Sequence, residues 1–209
     1  VGASVAVMVN DSDVKASLSG DAKKEKTIEA DGISVKADNA YNGSAKDSDS
    51  DSTAKTVAVG FAAGAAKFAG SGSVTVNVIS QKADASIGKG NYQAGNQGVD
   101  VEAKNTARLF GLAGGLGINL GGTGIGAAAD VQTYKGHTYA SIEDGAKLSK
   151  ASSVRVNAES EEDLTSVAAT IATGDTFAGA GAAGLHVIST DTKAYIGNQE
   201  DKDVTDAGK

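Results

Sequence analysis

The sequence predicts an all-β chain wound as a right-handed parallel β-helix (β-solenoid) from about four repeats of roughly 55 residues. Three observations carry this: short phrases recur at a fixed period, apolar and polar residues alternate with period two inside them, and small side chains dominate. Of 209 residues 28 are Gly, 4% are aromatic, one is Met, and Pro, Cys and Trp are absent. Large side chains that fill a globular interior are therefore scarce, and closely approaching backbones must replace them.

The period is read from two phrases. One recurs around Ala16, Ala85, Ala140 and Ala194, at intervals of 69, 55 and 54 residues. The other recurs around Val35, Val101 and Val156, at 66 and 55. The first interval exceeds the second by 66 − 55 = 11 residues, which locates an insertion in the polar run at 42–54. Ile33, Val35 and Ala37 alternate with Ser34 and Lys36, and Val99, Val101 and Ala103 with Asp100 and Glu102, the pattern of half-buried strands. The Gly and Asn clusters at 88–91 and 95–98 read as tight turns between short strands.

A third recurring element is a Gly/Ala-rich stretch at 57–72, 109–126 and 167–184. A helix is disfavoured there. Eight glycines fall in the second copy, and each interior Gly costs a helix about 1 kcal/mol against Ala. Small side chains that let strands approach closely, with Leu112, Leu116, Ile118 and Leu120 as a sparse apolar face, account for it better. A repeat that cannot close its own core stacks on its neighbours. At roughly eighteen to twenty residues per rung a block makes about three rungs, and a ladder spacing of about 4.8 Å gives a rod on the order of 50 Å. The competing architecture, an antiparallel sandwich array, lacks its usual Trp and Cys markers. Residues 1–209 read as one repeat-array segment, excised from a longer chain.

Functional chemistry is sparse. A net charge of −7 with only Arg108 and Arg155 as arginines argues against nucleic-acid binding. Without Cys there are no disulfides, thiolate metal sites or thiol nucleophiles, and no apolar run suits a transmembrane helix. Asp47, Asp49 and Asp51 alternate with serines, and hard oxygen ligands of this kind can hold calcium, but Ser52 and Ala58 stand where an EF-hand loop needs Gly and Glu. His137 and His186 lack partners at metal-ligand spacing and fall on different phrases. The acidic run Glu159, Glu161, Glu162 and Asp163 reads as a solvated strand end rather than a general acid/base pair. No catalytic, cofactor-binding or metal-ligating residue is assigned, and no enzymatic activity is expected.

The phrases at 32–39, 99–106 and 109–117 resemble the repeats of filamentous haemagglutinin-like adhesins, the leukotoxin family of filamentous adhesins in anaerobic Gram-negative bacteria above all. That resemblance implies a secreted or cell-surface protein with a long β-helical shaft, whose membrane attachment lies in other parts of the protein. The expected role is a structural shaft segment that mediates attachment to a surface receptor or glycan on a host or neighbouring cell. Alternatives are a self-assembling extracellular filament subunit, associating end to end, and a carbohydrate-active β-helix enzyme.

Overall fold

A computed structural model describes residues 1–20, 26–41, 54–65 and 67–197. The described residues form nine strands: β1 (Gly2–Leu18), β2 (Thr27–Tyr41), β3 (Ala54–Gly64), β4 (Phe68–Ile87), β5 (Gly90–Asn119), β6 (Thr123–Ile142), β7 (Ala146–Ser149), β8 (Val154–Thr173) and β9 (Phe177–Ile196). They make two sheets, one in the order β1-β4-β6-β9, the other with β5 between β2 and β3 on one side and β7 and β8 on the other. Every ladder is parallel, which rules out the antiparallel array. The Gly/Ala stretches lie in strands, so the helical reading falls as well.

The phrase intervals are the ladder register. Ala16 pairs with Ala85, Ala85 with Ala140 and Ala140 with Ala194, while Val35 pairs with Val101 and Val101 with Val156. Each strand thus lies beside the strand one block further on, and a whole block makes a single circuit through the two sheets. The expectation of three short rungs per block is therefore wrong, and so is the 50 Å rod built on it. The mistake was to read every Gly/Asn cluster as a turn. At 95–98 the chain stays in β5, where Gly98 takes φ 71° and the β2–β5 register shifts between Ala30 and Gly32. This is a bulge that bends one long strand rather than a reversal. Only the clusters at circuit ends, such as Gly88 to Gly90, turn the chain.

Tyr41 pairs with Ala107 and Ala54 with Leu109, so twelve residues of sequence separate two positions of the first copy that Arg108 alone separates in the second. That matches the eleven-residue excess. The aspartates at 47–51 lie outside the described residues.

The interior changes character along the strands. At one end Ile33, Val35, Ala85, Ile87, Tyr92, Val99, Val101 and Ile142 form an apolar core, and a smaller cluster of Ile79, Leu109 and Tyr134 follows. At the opposite end the inward positions are almost all Gly, Ala or Ser, and the sheets meet backbone to backbone. A Cβ added to Gly115 would stand 2.8 Å from the Ala127 carbonyl oxygen, and one on Gly117 3.0 Å from the Ile125 carbonyl carbon. Glycine is required at these two positions because a side chain would strike the backbone of the facing sheet.

Candidate functional site

Between the large-residue core and the Gly/Ala end the two sheets are joined by buried polar side chains. Asn39 and Asn105, partners in register, continue the inward alternation of Val35, Ala37 and of Val101, Ala103. Asn39 Nδ2 donates to the Lys82 carbonyl at 2.9 Å, and Asn105 Nδ2 to the His137 carbonyl at 2.9 Å. Lys82 and His137 are themselves register partners, so the same cross-sheet bond recurs one circuit on. Gln81 supports it through the Asn39 carbonyl at 3.2 Å, and Thr138 accepts from Asn105 at 2.8 Å.

A second cluster centres on Asp130, whose carboxylate is fully enclosed. It accepts from the hydroxyls of Thr75 on β4 and Ser166 on β8, and from Gln132 Nε2 at 2.9 Å. Gln132 also donates to the Thr165 carbonyl at 2.7 Å, and beside it Thr56 donates to Asn77. Thr75 pairs with Asp130 along one sheet while Ser166 reaches across from the other, so the carboxylate ties three strands and both sheets. Sequence reading missed these residues. Their signal is a polar residue in the inward phase of a period-two strand, visible at Asn39, Asn105 and Asp130 once the phase is fixed.

The residues singled out from the sequence do not converge. His137 pairs in register with Asp191 and His186 with Gln132, two different rows whose side chains point to opposite faces of the sheet. His137 packs edge-on to Tyr139, centroids 6.1 Å apart, and Tyr139 donates to Asp191. That bond, followed by one from Lys193 at 2.9 Å, holds the Asp191 carboxyl below its ordinary range. Glu161, Glu162 and Asp163 sit in the middle of β8, not at a strand end, and alternate across it. Glu161 faces outward to Arg108 at 3.4 Å, whereas Glu162 turns inward and accepts from Ser160. The acidic run is therefore split between two faces and makes no acid/base pair.

The outer face over the large-residue core is a charge ladder. Lys36 meets Asp100 at 3.2 Å and Glu102 at 2.7 Å, and Lys104 meets Glu159 at 2.9 Å. The Glu102 and Asp100 carboxylates raise the Lys36 pKa, and Glu159 raises that of Lys104. Exposed pairs of this kind contribute little stability each, yet like charges opposite one another would penalise a slipped register. Among the described residues no three His, Asp or Glu side chains gather as a metal set, and no helix is long and apolar enough to cross a membrane. The arrangement sets register and sheet spacing.

Tyr134 gives this interior a measurable titration. Burial, and then the charge of Glu162, push its phenol up to about 12. The unfolded chain releases that proton near pH 10 while the folded chain keeps it, so stability falls as pH rises from about 10 to 12, by about 2 to 3 kcal/mol. The hydroxyl makes no hydrogen bond of ordinary geometry, and Ser160 beside it has the smallest of the three effects on the phenol. Tyr134→Phe is therefore expected to match the parent at pH 7 within about 0.5 kcal/mol and to exceed its stability at pH 11.5, by urea unfolding at both values. Equal loss in both proteins over that window would refute the assignment.

Compared with protein families, curated proteins and solved structures, the chain finds no match in any of the three.

Proposed function

We propose that this chain is a structural shaft segment of a large secreted or surface-exposed filamentous adhesin, holding a binding region away from the cell without doing chemistry itself. The finer architecture proposed with it is a right-handed β-solenoid of about four repeats. The observation that carries the reading is the in-register recurrence of whole circuits, with buried Asn bridges repeated from one to the next. A body of this kind lengthens simply by adding circuits, which is what reach demands. The resemblance of the phrases at 32–39, 99–106 and 109–117 to filamentous adhesin repeats points the same way. The receptor would be a protein or glycan on a host or neighbouring cell.

The test is immunogold electron microscopy of intact cells with antibodies raised against residues 1–197. Label standing off the outer surface is the expected result; label found only after the cells are opened would sink the proposal. One feature favours a second reading, a filament subunit associating end to end: among the described residues β1 and β9 lie at the two ends of their sheet, each with a partner on one side only. Fibres growing along the stacking direction as concentration rises would support that reading.

A further inference from the structure

The outer faces of the two sheets are not uniform. Over the large-residue core they carry the charge ladders, but over the Gly/Ala end they are apolar. On the four-stranded sheet Val5, Val7 and Val9 of β1 project outward beside Val74, Val76 and Val78 of β4. Beside these rows β6 and β9 present Ala129 and Ala183, then Val131 and Leu185, then Thr133 and Val187, with Ala127 and Gly181 in the row before, next to Ala3 and Gly72. A shallow hollow lies over the rows of Ala3, Gly72 and Ala127 and of Val5, Val74 and Ala129. Val5 is 70% exposed and Val7 63%, so the patch is uncovered.

We propose that this face is a self-association surface, occupied by a second copy of the chain packed sheet against sheet. Size is the first argument. Four strands about 4.8 Å apart and about ten residues long at roughly 3.3 Å each cover on the order of 600 Å². Two copies would then bury on the order of 1,200 Å², the lower bound of a stable interface. Shape is the second. A two-fold axis along the strands sets each row against the same row of the other copy, so Val5 and Val74 lie over Ala183 and Ala129, and Val7 and Val76 meet the apolar Leu185 and Val131. The apolar ends then coincide in both copies. A lipid bilayer is the alternative occupant, and the vesicle measurement below tests it.

The inference rests on the surface alone and not on the shaft reading, so either can fail without the other. It also differs from end-to-end stacking, because β4 is internal to its sheet. Sedimentation velocity of the chain at roughly 1 to 100 µM should show dimers or larger species. Val78→Lys, on β4, should weaken that association at least about tenfold with an unchanged far-ultraviolet circular dichroism spectrum, since it places a charge inside the contact. If that variant does not fold, Val7→Lys, on the well-exposed edge of the same ridge, decides the matter by the same measurement. A wild-type chain that stays monomeric at 100 µM overturns the proposal. So does association that survives these substitutions, or a monomer that floats with neutral phospholipid vesicles.

Discussion

Gly117→Ala is expected to destabilise the fold by about 3 kcal/mol, a large cost for one methyl group. Gly117 lies on the inner face of β5, the central strand of its sheet, opposite the backbone of Ile125 on β6. A new Cβ would meet the Ile125 carbonyl oxygen well inside van der Waals contact and its carbonyl carbon at 3.0 Å. Those are main-chain atoms held in ladders on both sides, so no rotamer change relieves the clash. The sheets would have to part locally. Gly114 is the control: its side chain would point outward, the nearest atom being Val59 Cγ2 at 3.5 Å. Gly114→Ala should be neutral or stabilise by a few tenths of a kcal/mol, through the lower entropy of the unfolded chain. Comparing the two in urea, at one pH, isolates backbone contact from helix or strand propensity. If both alanines cost the same, the tight approach of the sheets is not what these glycines serve.

That comparison also shows why part of the fold was legible in the sequence and part was not. Register was legible because identical phrases stack on themselves: the spacing of Ala85 and Ala140 is the spacing of the ladder. Inward and outward faces were legible at Val99, Val101 and Ala103, since charged neighbours betray the phase. The length of a circuit was not. Gly95 and Gly98 have the composition of a turn, and only tertiary pairing with β2 and β8 keeps the chain extended through them as a bulge. The Gly/Ala stretches concealed their orientation for a related reason. Leu112, Leu116 and Ile118 are the bulky residues there, and a hydrophobic core would claim them. With the sheets already in backbone contact there is no interior volume to receive them, so they face outward on β5. The buried polar residues were missed because Asp130, between Ala129 and Val131, has no charged neighbour to suggest a site. Its role arises from Thr75, 55 residues earlier, and Ser166, 36 later.

Asp130→Ala is accordingly expected to cost about 3 to 5 kcal/mol, the upper range for a single buried polar residue. Two separate losses add. The carboxylate accepts from Thr75, Ser166 and Gln132, and removing it strands three donors where water does not reach. It also fills the space above Gly111, which has no side chain of its own, so truncation leaves a cavity lined by polar groups. Asp130→Asn separates these losses from the charge itself. An asparagine keeps the volume, its carbonyl still accepts, and the Thr75 and Ser166 hydroxyls can turn to receive its amide protons. The groups around it are neutral hydroxyls and an amide, and a charge buried among such groups costs free energy that a neutral amide does not. Asn should therefore fall within about 1 kcal/mol of the parent while Ala falls far below it, by chemical denaturation at pH 7. A similar cost for both substitutions would mean that the negative charge, rather than the shape and hydrogen bonding of the side chain, holds the two sheets together at the point where the core gives way to glycine.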